Sequence, residues 1–267
     1  MDRLDSLENE SIYIIREAYK KCGKLGVLWS MGKDSCVLLW LIKKAFLGHM
    51  PIPAIHIDTT FKFPSMYDFR KKYSDEWNLN LIIHTNEDAI KKGVSYENNT
   101  ALEVCHELKT IGLKQCIKEH GFNGLMLAIR ADEEGSRSKE RVFSHRGKNA
   151  EWDYTNQAPE LWDQYNTDFK VGEHVRIHPV LSWTELDIWR YIKREGIPLV
   201  DLYFAKDGKR YRSLGCMPIT HPIDSNADTV DKIIVELEQT KTRERDGRGQ
   251  DKEDAYALQK LRSKGYM

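Results

Sequence analysis

The chain has 267 residues, 40% of them apolar and 31% charged, which suits a folded α/β domain with an appended subdomain and excludes fibrous or disordered classes. Its 41 basic and 41 acidic side chains cancel, which excludes broad electrostatic capture of nucleic acid and requires any anion site to be local. No apolar run nears the ~18 residues of a membrane span, and the acidic, polar start is unlike a signal peptide, so a cytoplasmic protein is expected.

Residues 5–22 place Leu7, Ile12, Ile14, Ile15 and Tyr19 among charges, which predicts an amphipathic helix. Leu25 to Trp29 reads as a first buried strand, followed by a helix through Val37, Leu38, Leu41, Ile42 and Ala45 that ends near Gly48. Pro53–Asp58 is a second strand, Pro64–Trp77 a helix and Leu79–His84 a third strand. A helix over 101–120 leads into a fourth strand, Phe122–Ile129. Residues 144–174 are polar, Asn-rich and aromatic, an irregular stretch of the kind that often carries function. Ser182-Trp-Thr-Glu185 reads as a capping box that opens a helix stopped by Gly196 and Pro198, and one more apolar helix lies near 228–239. Alternating strands and helices predict a parallel sheet with right-handed crossovers and a ligand at the carboxyl ends of the strands.

Ser30-Met-Gly-Lys-Asp-Ser35 lies between the first strand and the next helix. Gly32 would let the backbone turn tightly, and the helix amides with their dipole would cradle phosphate. Lys33 adds a point charge, and Ser30 and Ser35 add hydroxyl donors. A plain strand–helix turn capped by Asp34 or Ser35 has the same local pattern. The five cysteines, Cys22, Cys36, Cys105, Cys116 and Cys216, form no CxxC pair and read as buried reduced thiols. No metal-ligand cluster is expected.

The loop resembles the Ser-Gly-Gly-x-Asp-Ser signature of PP-loop ATP pyrophosphatases, with Met in place of one Gly, as in the small subunits of bacterial sulfate adenylyltransferases. Six further blocks resemble that family: His56-Ile-Asp-Thr-Thr-Phe-Lys-Phe63, Asp132–Arg141, Asn156–Trp162, Ser182–Trp189, Arg212–Cys216 and Glu244–Arg248. The resemblance implies an α/β fold with a parallel five-stranded sheet and flanking helices, of the adenine nucleotide alpha hydrolase kind. Residues 1–200 would form the nucleotide-binding domain, and 201–267 an irregular, helical extension forming the acceptor pocket or lid. It implies transfer of AMP from ATP to sulfate, with Mg²⁺ on the phosphates and a GTPase large subunit as partner. Arg130-Ala131 departs from the family's paired arginines, and the stretch between Leu202 and Arg212 is short for it.

Residue by residue, the resemblance places Ser30, Gly32, Lys33, Asp34 and Ser35 on pyrophosphate, and the Ile57 backbone and Asp58 on adenine or ribose. Arg130, Arg245 and Arg248 would face the nucleotide, while Lys33, Arg137, Arg141 and Arg212 would act in the transfer. Asp58 has an equal alternative as the cap of the Thr59–Thr60 turn. Arg137 and Arg141 would share a face if their block is helical. His56 and Cys216 read as packing residues. Two other activities compete: adenylation of a different oxyanion or carboxylate, and sulfonucleotide reduction, which requires a cysteine near the C-terminus that this sequence lacks after Cys216.

Overall fold

The first strand, β1 (Leu25–Leu28), is buried along its whole length because helices cover both faces of the sheet. The computed structural model describes residues 2–147, 150–152, 157, 159–162, 164–167, 174–242, 244–247 and 263–265. Successive β1 residues point to opposite faces. Val27 joins a core built with α1 (Arg3–Lys21), α2 (Lys33–Ala45) and α7 (Glu185–Glu195), whereas Leu28 joins Ile55, Leu125 and Leu113 on the other side.

The sheet runs β3-β2-β1-β4-β6-β5, with β2 at Ala54–Ile57, β3 at Leu81–His84, β4 at Gly124–Met126, β5 at Phe143–Arg146 and β6 at His174–Ile177. Five strands are parallel, as expected, and β5 adds a sixth that pairs antiparallel with β6 at the edge. Strand order reverses at β1 and β4, where Val27 pairs with Met126, so the chain parts beyond their carboxyl ends and leaves a crevice there.

Among the helices, α3 (Pro64–Glu76) begins on a proline, which needs no amide partner at that position. The predicted helix over 101–120 is continuous but contains a seven-residue π-helical segment, Cys105–Ile111, between α5 (Ala101–Val104) and α6 (Gly112–His120). A short α4 (Glu87–Lys91) was not legible in the periodicity. The cap of α7 is Thr184, two residues later than expected. Its hydroxyl accepts from the Asp187 amide, and the Asp187 carboxylate accepts from the Thr184 amide at 2.9 Å, which leaves Glu185 free to turn inward. Arg3 donates two bonds to Asp187, at 2.9 and 2.8 Å, and the Trp183 indole donates to Ser11, so α1 is tied to the start of α7.

In the C-terminal region β7 (Lys209–Arg210) pairs with β8 (Ile223–Asp224), and α8 (Val230–Gln239) packs on α7. The short stretch after Leu202 ends in a two-residue turn, Asp207–Gly208, with φ of 53° and 76°. These are the left-handed values that a twisted hairpin demands and that Asp-Gly supplies. Much of the irregular segment foreseen over 144–174, including Asn156, lies outside the described residues. Glu160 within it accepts from the Val142 and Phe143 amides at 2.7 and 2.8 Å at the start of β5.

Candidate active site

The crevice at β1 and β4 is a cleft whose walls include Ser30, Gly32, Lys33, Asp34, Ser35, Ile57, Glu133, Arg137, Tyr203, Ser213 and Glu244. Residues expected to hold phosphate therefore meet on one surface at the N-terminus of α2. The tight turn is made differently from the expectation: Gly32 has φ of −71°, and the left-handed residue is Met31, with φ of 60° and a fully buried side chain. Met31 stands at the position where the resembling signature has glycine, so burial in the core holds a conformation that L-residues adopt at a cost. Gly32 matters through close approach, since a Cβ there would lie 3.2 Å from Ser30 Oγ and 3.5 Å from the Tyr203 hydroxyl. That hydroxyl accepts from the Lys33 amide at 2.9 Å, and Ser35 donates to the Gly32 carbonyl at 2.9 Å. Neither Asp34 nor Ser35 serves as the N-cap of α2.

Behind the loop lies a network of alternating charge. Lys33 Nζ bonds Asp34 at 3.1 Å and Glu244; fully buried Arg130 bonds Asp34, Glu244 and, at 3.0 Å, Asp132. Arg137 pairs with Glu133, which Arg245 also reaches at 3.0 Å. Burial would push the Lys33 ammonium down, but Asp34 and Glu244 hold it above its usual value. Burial would likewise push Glu244 up, and the charges of Arg130 and Lys33 hold it well below the usual carboxylate range. A carboxylate on the C-terminal segment thus lies against the two cations best placed for a phosphate.

The remaining expected residues fall in different places. Asp58 realises its alternative reading: it accepts from the Thr60 amide, the Tyr67 hydroxyl and Arg70, each at 2.9 Å, and is not part of the cleft wall. Arg137–Lys139 is a single 3-10 turn with an extended Glu140 after it, so Arg137 and Arg141 share no helix face. The charge of Arg141 acts on Glu160. Arg212 grips Glu185 with bonds of 3.2 and 2.7 Å and the Thr242 carbonyl at 2.9 Å, standing behind the wall formed by its neighbours Ser213–Gly215. Arg248 lies outside the described residues.

Sequence reasoning gave no role of their own to five residues on or beside the cleft, Tyr203, Glu133, Glu244, Lys62 and Lys109, with Glu133 entering only as part of the charged block after the fourth strand. Glu244 carried a signal, because it opens the block Glu244–Arg248. Lys109 carried none, since its inward position depends on the π-helical register. His56 also lines the cleft. Burial, then the charge of Lys62, depresses its pKa to about 3, so the ring is neutral and Nδ1 donates to the Trp29 carbonyl at 3.0 Å.

The parallel sheet, switch-point crevice and serine-glycine loop before α2 define an α/β nucleotide-binding class with phosphate at a helix N-terminus. Residues 24–222 match the phosphoadenosine phosphosulfate reductase domain, and the chain belongs to that family. It is 41% identical, over 100% of its own length and 99% of the relative's, to "Sulfate adenylyltransferase subunit 2" of Geotalea daltonii. The protein of the same name from Saccharophagus degradans is 42% identical over 100% of this chain and 98% of its own. The Geotalea alignment spans 297 positions against 267 residues here, so the relative carries insertions that this chain lacks. The fold is similar to phosphoadenylyl-sulfate reductase from Candida auris, with a TM-score of 0.57 and 20% identity over 83% of this chain and 98% of the other. It is also similar to FMN adenylyltransferase from Candida glabrata, with a TM-score of 0.56 and 17% identity over 82% and 64%. Among the described residues no helix is long and apolar enough to cross a membrane.

Proposed function

We propose that this chain is a sulfate adenylyltransferase subunit, transferring AMP from ATP to sulfate to give adenosine 5′-phosphosulfate and pyrophosphate. The observation that carries the reading is a phosphate loop opening on the switch-point cleft, in a chain about 41% identical end to end to enzymes of that name.

In this reading Ser30, Gly32, Lys33, Ser35 and the first amides of α2 hold the β and γ phosphates, and Arg130 supports Lys33 and Asp34 from behind. The apolar wall of Leu28, Ile57, Leu127 and Ile129 takes the base. A sulfate oxygen bonds to the α phosphorus while the α–β bridging P–O bond breaks, and pyrophosphate leaves with the electron pair. No proton moves, because sulfate is already fully ionised. The work of the site is therefore alignment and charge neutralisation. Glu244 must give up Lys33 and Arg130 as the phosphates arrive, which gives residues 201–267 the part of a lid over the domain formed by 1–200.

Mg²⁺ fits as a companion of the nucleotide rather than as a resident of the protein. Among the described residues no group of three or more His, Cys, Asp or Glu could hold a metal ion, and Asp34, Glu133 and Glu244 are held by cations. Bound on phosphate oxygens, the ion would supply further neutralisation. Adenylation of sulfate is strongly uphill, so the forward reaction calls for a large partner subunit, a GTPase in the resembling family. The test is pyrophosphate release from ATP and Mg²⁺ with and without sulfate, in the presence of that subunit. Release should require sulfate, and equal release without it, or with another oxyanion replacing it better, would overturn the reading.

A further inference from the structure

The amide that opens α2, that of Lys33, has no partner within its own helix, and Gly32 before it offers no side chain to cap it. The partner comes from 170 residues away, where the Tyr203 hydroxyl accepts from this amide at 2.9 Å. Tyr203 ends a short 3-10 turn, Asp201–Tyr203, and its ring stands edge-on to Trp189 of α7 with centroids 5.7 Å apart. The residue is 1% exposed, yet it lines the cleft.

A phenol oxygen that accepts one bond still has a proton to give. Among the described residues that proton meets no acceptor, the Lys33 contact being the one hydrogen bond of the hydroxyl. Asp34, the carboxylate whose charge bears on Tyr203, gives its two oxygens to Lys33 and Arg130. Burial raises the phenol's pKa further than the charge of Lys33 lowers it, so the proton stays on at neutral pH. A buried donor left open in this way is costly unless a ligand completes it. Gly32 shows where that ligand would lie: a Cβ there would meet Ser30 Oγ at 3.2 Å and the Tyr203 oxygen at 3.5 Å, so two hydroxyls flank the glycine of the phosphate loop.

We propose that Tyr203 is a further substrate-binding residue, whose hydroxyl donates to a phosphate oxygen of the pyrophosphate half of ATP. The proposal rests on the adenylyltransferase reading, which puts the β and γ phosphates on this loop. The Lys33 amide points at the hydroxyl and so reaches phosphate through it, amide to phenol and phenol to phosphate. Each bond in such a chain polarises the next, and the positive end of the α2 dipole lies behind it. Charge collects on pyrophosphate as the α–β bond breaks, which makes this donor worth more in the transition state than in the bound substrate.

Calorimetric titration of the full chain with pyrophosphate reads the contact without turnover or a partner subunit. AMP, which lacks the two phosphates concerned, reports the rest of the cleft. Tyr203→Phe keeps the ring against Trp189 and should weaken pyrophosphate binding about tenfold, the scale of one hydrogen bond to a charged group, while AMP affinity changes less than about threefold. A hydroxyl that only held the loop would give a similar loss, and a second variant separates the two. A tyrosine with one fluorine beside the hydroxyl, introduced at 203, is a better donor and a poorer acceptor because fluorine withdraws charge from the oxygen. It should bind pyrophosphate at least as tightly as the wild type, and it also decides the matter if the phenylalanine variant does not fold. Weaker binding by the fluorotyrosine, unchanged pyrophosphate affinity in Tyr203→Phe, or an equal loss for AMP would overturn the phosphate contact and leave Tyr203 a structural strut. In those cases sulfate-dependent pyrophosphate release by the wild type would still uphold the enzyme reading, whereas a wild type that binds AMP but not pyrophosphate would sink both.

Discussion

The two ends of the cleft set different groups beside their cations. At the loop end Lys33, Arg130, Arg137 and Arg245 are met by Asp34, Asp132, Glu133 and Glu244, so the phosphate cradle is neutralised by the protein itself. At the other end Lys62 and Lys109 bear on a thiol that their charge drives toward thiolate. Ion pairs buried in this way contribute little net stability but are costly to break from one side. The loop end is thus a set of contacts that a triphosphate can exchange for its own, whereas at the far end two ammoniums act on the buried thiol of Cys216.

The largest effect that would break this comparison is loss of the loop-end cation. Lys33→Ala should lower turnover by about 2–4 kcal/mol of transition-state stabilisation, roughly thirtyfold to a thousandfold, with weakened ATP binding by calorimetry. Ser35→Ala, which removes one neutral donor, should cost less. Wild-type affinity and turnover in both variants would remove the loop from the mechanism.

Next in size is Glu244→Gln. Among the described residues it leaves Asp34 and Asp132 as the carboxylates bonded to Lys33 and Arg130, and without nucleotide should cost about 2 kcal/mol, visible as a lower thermal midpoint. Saturating ATP should recover most of that loss, because phosphate replaces the missing carboxylate. A loss that ATP does not recover would mean that Glu244 and phosphate do not share these cations.

A smaller effect concerns acid. His56 and His174, each depressed to about 3 mainly by burial and then by a neighbouring cation (Lys62 and Arg176), stay neutral in the fold while the unfolded chain takes up protons near 6.5. Their folded pKa values are lowered, so stability is full above about 6.5 and falls as pH drops toward 3, by on the order of 1 kcal/mol per pH unit for each. Thermal midpoints should therefore drop between pH 7 and pH 5, and His174→Asn should flatten that drop.

Much of the frame was legible because its signals are local. Helix and strand periodicity located β1–β4, α1–α3 and α7 within a few residues, and the serine-glycine loop fixed where the cleft would be. What escaped depends on contacts distant in sequence. Five parallel strands were expected, but β5 arises from pairing across a long connection, and no periodicity announces a four-residue antiparallel edge. Arginines drew attention as acceptor ligands because a guanidinium fork suits oxyanions, yet the fold places Arg212 on Glu185, over a gap of 27 residues, and leaves Lys109 on the wall. Glycine at 32 suggested that the tight turn is made there, and the structure puts the left-handed conformation on Met31, because a buried side chain can hold what propensity disfavours.

Because sulfate adenylation is uphill, its reverse is the direct test of the account. Incubated with adenosine 5′-phosphosulfate, Mg²⁺ and pyrophosphate, the chain should form ATP and free sulfate, with phosphorus resonances for three linked phosphates appearing as pyrophosphate disappears. Formation of ATP without any partner subunit is the predicted result. Persistence of both reactants in the presence of the GTPase subunit as well, or release of AMP with no ATP formed, would contradict it.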